Sequence, residues 1–274
     1  MENPKKILVP WDFSERSFFA LQNAIEVSKT THYEIELLHI ISKRSQEAVA
    51  KQKLEKVISD AEVKFKMKPG YLIKVGSIYE TIKEVANDPD FAIAVMKTDG
   101  VKGIQKYTGS RAIKMIEGCK IPFIVVQQPM KKTHFEKILF PLDYRIENKQ
   151  ILSYITSFSR FYQFKLLLMK PQTNDKIFKK NISNTANLAK VLLETKNIPF
   201  EIITAEGKGN YASQIIETAK VQQCDLVIIQ LEKNLTLTKF LFGLKEQRIL
   251  ANEYKIPVMC LNPRLELSKY GGFY

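Results

Sequence analysis

The sequence predicts an α/β protein made of two tandem copies of one domain, each a five-stranded parallel sheet flanked by helices. Three observations carry this. First, the chain nearly repeats itself: KILVPWD from Lys6 matches KILFPLD from Lys137 at a constant offset, and KIPFIVVQQP from Lys120 matches KIPVMCLNP from Lys255. A repeat of about 130 residues is too long for a solenoid unit and fits two domains in one chain. Second, short apolar runs alternate with stretches of helical periodicity, the pattern of β-α units. Third, the apolar runs are continuous and do not alternate with polar residues, as in parallel strands covered on both faces.

In the first copy the strands read Ile7–Pro10, Ile35–Ile41, Tyr71–Val75, Ala92–Met96 and Ile121–Gln127. Between them lie helices at about Glu15–Lys29, Gln46–Phe65, Ile78–Ala86 and Ser110–Glu117. Either Asp12 or Ser14 can cap the first of these, since a short side-chain oxygen satisfies the free N–H groups of a first helical turn. Phe18, Leu21, Ala24, Ile25 and Ser28 fall on one face of it. In the long charged second helix, Val49, Lys53, Val57 and Ala61 sample several faces.

The second copy gives strands Ile138–Pro141, Phe164–Met169, Glu201–Thr204, Leu226–Ile229 and Pro257–Leu261. Its helices run at about Glu147–Tyr162, Asn181–Thr195, Tyr211–Val221 and Leu244–Asn252, with a loop Pro171–Phe178 placed like Ser42–Ala48. The expected boundaries are residues 1–128 for the first domain and 135–264 for the second. The polar linker Gln128–His134 carries Pro129, as a boundary should. Residues 265–274 form a tail outside the repeat, with Gly271 and Gly272 before Phe273 and Tyr274.

Composition narrows the function classes. The 274 residues carry a formal net charge of +13. It is spread evenly, with 22 basic and 16 acidic residues in 1–132 and 20 and 13 in 133–274. Lys outnumbers Arg and there is no basic tail, so a hydrated lysine surface is expected, not nucleic-acid binding; attraction of anionic ligands does follow from the charge. No apolar stretch reaches the roughly 20 residues that span a bilayer. The apolar run after Lys5 and Lys6 breaks at Pro10 and Asp12, too soon for a signal-peptide core. A cytoplasmic protein without a membrane partner is expected. Cys119, Cys224 and Cys260 are odd in number and sit in apolar contexts, which reads as buried thiols. His32, His39 and His134 have no i, i+4 partner, so no metal site is expected. No Ser/His/Asp, Cys/His or paired-carboxylate arrangement marks a catalytic centre.

In open parallel α/β sheets, ligands bind beyond the carboxyl ends of the strands, where the strand order reverses. Asp12 follows the first strand and Ile40-Ile41-Ser42 ends the second. The loop from Lys97 to Ser110, KTDGVKGIQKYTGS, ends the fourth and opens a helix at Gly109-Ser110. A glycine-bearing loop before a helix N-terminus offers backbone N–H groups and a positive dipole end to phosphate. Asp12 can accept hydrogen bonds from ribose hydroxyls, and Lys97 and Lys102 add charge. Trp11 either stacks on a base or packs in the core, and His39 reads as a core or edge histidine.

These residues resemble the universal stress protein family. The likeness lies in ILVPWDFSERSFFAL, IELLHI, VGSIYETI and YTGSRAIKMIEGCKIPFIVV of the first copy, and in ILFPLDY, LLLMK, ASQIIETAKVQQCDLVII and KIPVMCLNP of the second. It covers nearly the whole chain. It implies a doubly wound five-stranded fold, stress adaptation by binding, pairing of domains through their last strands and, in some members, ATP. Here that pairing would be intramolecular, and the arrangement also allows a homodimer and an unidentified protein partner.

ATP-binding members carry G-x2-G-x9-G-[ST] after the fourth strand. The first copy departs from it: Lys97 replaces the first glycine, Gly100 matches the second, and only eight residues precede Gly109-Ser110. In the second copy Gln230, Lys233 and Leu244 replace pattern residues and only Gly243 survives. A side chain in place of glycine blocks close approach of backbone to phosphate. The expectation is therefore at most one adenine-nucleotide site, for ATP or a relative, in the first domain. It would be built from Asp12, Ile40, Lys97, Gly100, Gly103, Gly109 and Ser110, with Asp143 a turn or cap residue. The alternatives are a ligand-free interaction scaffold and a slow ATP-hydrolysing enzyme.

Overall fold

The structure is a computed structural model that describes residues 4–98, 108–130, 132, 134–142, 148–206, 209–231 and 245–262. The first half contains β1 (Lys6–Trp11), α1 (Glu15–Thr31), β2 (Glu34–Ile41), α2 (Glu47–Phe65), β3 (Gly70–Val75), α3 (Ile78–Ala86), β4 (Phe91–Lys97), α4 (Thr108–Ile116) and β5 (Phe123–Val126). The second contains β6 (Lys137–Pro141), α5 (Asn148–Phe158), β7 (Lys165–Lys170), α6 (Lys176–Thr195), β8 (Phe200–Thr204), α7 (Tyr211–Val221), β9 (Leu226–Gln230), α8 (Lys245–Leu250) and β10 (Val258–Leu261).

All ten strands form one sheet in the order β3-β2-β1-β4-β5-β10-β9-β6-β7-β8. Each half is parallel and doubly wound, and its order reverses between its first and fourth strands. The halves meet where β5 and β10 pair antiparallel, with Val258 opposite Val125 and Cys260 opposite Phe123. The two last strands are thus neighbours, as the sequence leads one to expect, and neither leaves an unpaired edge.

Strand alternation explains the core. Ile7, Val9 and Trp11 point to the face covered by α1 and α2, while Leu8 points to the face of α3 and α4. Both apolar layers run through β5 and β10 into the second half, so the two copies share one core on each side of the sheet. Phe123, at the junction, is fully buried. Three free cysteines are buried, and burial pushes the Cys119 and Cys224 thiols up to about 12.

Several boundaries differ from the sequence reading for identifiable reasons. Helix α6 starts five residues early because the Asp175 carboxylate accepts from Ile177 N and Phe178 N and caps it there. Helix α8 ends at Leu250 because the buried Asn252 side chain donates to Ile249 O and Ile256 O and accepts from Ile256 N, turning the chain. Helix α5 stops at Phe158 and Tyr162 lies in a following turn. Phe18, expected on one face with Leu21 and Ala24, is exposed.

Two amide side chains fasten the halves. Gln127 Nε2, just past β5, donates to Leu250 O and Asn252 O at 3.3 and 2.9 Å. Asn262 Nδ2, just past β10, donates to Ile116 O and Cys119 O at 2.6 and 3.0 Å. Each amide, just past a last strand, therefore donates to carbonyls at and beyond the end of the other half's last helix. The linker is held as well: the buried Asn23 side chain donates to Gln128 O and accepts from Met130 N.

Candidate functional site at the carboxyl edge of the first half

Asp12 follows β1 at the reversal point. Its Oδ1 accepts from Ser14 N at 3.1 Å and from Ser17 Oγ at 2.5 Å, forming a turn that puts Phe13 in the left-handed region at φ 61°. The turn hands over to α1, which Ser14 caps by accepting from Ser17 N. Of the two candidate caps, Ser14 performs the role, and Asp12 shapes the turn before it.

Lys97 is the last residue of β4, the strand next to β1 in the sheet. Its ammonium crosses the crevice and donates to Asp12 Oδ2 at 2.7 Å and Ser14 Oγ at 2.5 Å. Desolvation alone would raise the Asp12 carboxyl. Hydrogen bonds from Lys97, Ser17 and Ser14 outweigh it and hold the group well below the usual carboxylate range. Asp12 is thus an anion whose two oxygens are already engaged by the protein's own donors.

The remaining expected residues are placed as follows. Ile40 is half-buried in β2 and packs on the layer shared with α3 and α4. Gly109 and Ser110 lie within the first turn of α4, which begins at Thr108, earlier than the expected Ser110. The first N–H groups of a helix have no partner within it, so this turn still presents donors. Gly100, Gly103, Lys102 and Asp143 lie outside the described residues. The structure therefore brings Asp12 and Lys97 into contact, and gives no geometry for the glycine loop.

Behind Asp12 sits an aromatic group. Trp11 is buried and packs edge-on against Phe18 at 4.9 Å, so it is a core residue and does not present its face to a ligand. Phe13 meets His39 at 4.6 Å, and the Lys53 ammonium lies 5.7 Å over the Phe13 ring. His39 Nδ1 stands 2.9 Å from Trp11 O, so the tautomer that bonds there carries its proton on Nδ1. Sequence reasoning missed Ser14 and Ser17 as partners of Asp12, and missed that Lys97 faces Asp12. The second point was within reach, since a doubly wound order sets the first and fourth strands side by side.

The matching edge of the second half is closed differently. Tyr211 Oη, from the first residue of α7, lies 3.1 Å from Leu142 O and 2.8 Å from Met169 O, bridging the carboxyl ends of β6 and β7. Gln230, which replaces a pattern glycine, is buried at the end of β9.

No helix among the described residues is long and apolar enough to cross a membrane. Among the described residues no cluster of three or more His, Cys, Asp or Glu side chains could hold a metal ion.

No curated protein matches the chain. Its fold is similar to that of a universal stress protein from Archaeoglobus fulgidus DSM 4304, with a TM-score of 0.71 at 15% identity over 95% of this chain and 97% of that one. It is also similar to a functionally unknown protein from Pseudomonas aeruginosa PAO1, with a TM-score of 0.65 at 14% identity over 95% and 93% of the two chains. At such identities the likeness is one of fold. A family model described as "Universal stress protein family" matches residues 3–127. Over residues 3–127 the chain matches the universal stress protein family, and the same five-strand order recurs in its second half.

Proposed function

We propose that the protein acts by binding in stress adaptation, with at most one adenine-nucleotide site, at the carboxyl edge of the first domain, and with Lys97 as a latch across it. The supporting observation is the 2.7 Å contact between Lys97 Nζ and Asp12 Oδ2. Ribose hydroxyls would need the acceptor that Lys97 occupies, and Lys97 stands where nucleotide-binding relatives have glycine. The second domain serves as the structural partner, since Tyr211 fills its edge. Domain limits of 1–128 and 135–264 belong to the same reading.

Titration calorimetry with ATP, ADP and AMP tests it. Wild type should bind weakly or not at all. Lys97→Gly should gain affinity by about tenfold or more, at no more than one site per chain, and adding Asp12→Ala should remove the gain. Tight wild-type binding that collapses in Lys97→Gly would mean that the ammonium contacts phosphate, and would overturn the latch. Two equivalent sites would overturn the assignment to one domain.

A second reading, a ligand-free interaction scaffold, draws on the fact that the protein's own side chains occupy both edges. No binding in either wild type or Lys97→Gly would favour it.

A further inference from the structure

A second opening lies at the junction of the halves. A cavity of about 360 Å³ sits where the linker passes the amino ends of β9 and β10, within the size range of small-molecule pockets. It lies at the amino edge of the second half, away from the Leu142 and Met169 carbonyls, and so is not part of that half's reversal point.

Comparing the two copies shows why space exists there. The same number of residues separates Ile78 from Ala94 and Tyr211 from Val227. Each pair joins the start of a helix to the residue whose N–H bonds the proline before the last strand, Pro122 in one half and Pro257 in the other. Within this alignment Ile82 matches Ile215 and Ala86 matches Ala219, all buried. Phe91, buried in the first half, is matched by Cys224. A thiol leaves unfilled most of the volume that a benzyl group takes up. Asn87, whose side chain ties Gly118 O to Lys120 N and seals the first half, is matched by Lys220. The Lys220 ammonium lies 5.4 Å over the Tyr254 ring.

The lining has two chemical characters. Met130, Phe135, Ala219 and Ile256 supply an apolar wall, and the Cys224 thiol beside them stays neutral because burial pushes it up to about 12. Lys220 and Lys255 supply positive charge, and among the described residues neither forms an ion pair. The lining carboxylate, Asp225, is committed: it accepts from Glu136 N and Lys137 N and stands 3.5 Å from Lys132.

We propose that this cavity binds a small amphipathic anion, an aromatic or short-chain carboxylate, sulfonate or phosphate ester. Its body would lie on Met130, Phe135 and Ile256 and its charge would face Lys220 and Lys255. Desolvating an anion is offset only where cations meet it, and the apolar wall supplies the remaining affinity.

The test titrates the full chain with 8-anilinonaphthalene-1-sulfonate, followed by fluorescence and calorimetry. The expected result is one saturable site per chain. The paired change Lys220→Glu and Lys255→Glu should weaken it by about tenfold or more, and added salt should weaken it in wild type. Cys224→Phe, which copies the first half, should abolish it, with circular dichroism checking the fold. Asp12→Ala and Lys97→Gly should leave it unchanged, which separates this cavity from the crevice at Asp12. Absence of a saturable site in wild type would overturn the proposal. So would binding that survives the charge reversals, whose exposed positions carry little risk to folding.

Discussion

Ile78 and Tyr211 hold the same place, the first residue of the helix after the third strand of each half. Ile78 is half exposed, and in its half the carbonyl of Trp11 at the end of β1 is met instead by His39 Nδ1 and Asp12 by Lys97. Tyr211 reaches over and bonds the carbonyls of Leu142 and Met169. The amino edges differ too, since Phe91 fills the first half where Cys224 leaves room in the second. The two copies keep one strand order but close their carboxyl edges with different side chains, Lys97 in one and Tyr211 in the other. A few side chains thus differ at each edge, while the strand order stays the same.

The amino edges give the largest expected effect. Phe91→Ala should cost about 3–5 kcal/mol by urea unfolding, because it removes a buried ring and leaves a void. Cys224→Ala should cost less than about 1.5 kcal/mol, since the space beside it is already unfilled. Equal costs would break the comparison. Next come the two amides at the junction. Asn262→Ala and Gln127→Ala should each destabilise by about 1–2 kcal/mol, through the loss of two hydrogen bonds across the junction. If only one does so, the fastening is one-sided.

At the carboxyl edges, Tyr211→Phe should cost about 0.5–1.5 kcal/mol, the worth of an ordinary hydrogen bond. Ile78→Tyr sharpens this contrast. Placed in Lys97→Gly, it should cancel any gain in nucleotide binding by giving the first domain the second domain's plug. The smallest effect is that of the Asp12–Lys97 pair, which is partly exposed and so worth less than about 1 kcal/mol. Its pH dependence has a definite sign. The Asp12 carboxyl is depressed in the folded state, so its contribution is fully present above the ordinary carboxylate pKa and is lost as pH falls through the lower folded value. The stability gap between wild type and Lys97→Met should therefore close in acid.

Most of the fold was legible because burial writes itself into the sequence. Continuous runs such as ILVP and LVII, short and set between turn residues, fit covered strands, and the repeat showed that the same strand pattern occurs twice. Helix ends were less legible where a single side chain decides them, as Asp175 does for α6 and Asn252 for α8. At the candidate site, Asp12 and Lys97 could be named separately from motif and position. Their contact could not be read from local pattern, because 85 residues separate them and only the sheet order joins them. Ser17 was hidden for a related reason: as a buried helix residue it looks like any small core position until the turn folds back onto it.

Pairing of β5 with β10 inside one chain has a consequence for assembly. If two separate chains met through these strands, their union would weaken on dilution, and every substitution would appear twice across the axis. The short linker keeps the partner at an effective concentration on the order of millimolar, so assembly no longer depends on how much protein is present. It also frees each copy to change alone. The Phe91 and Cys224 positions, or Ile78 and Tyr211, could not have diverged in a symmetric pair. Covalent fusion thus converts a matched interface into two independently adjustable halves.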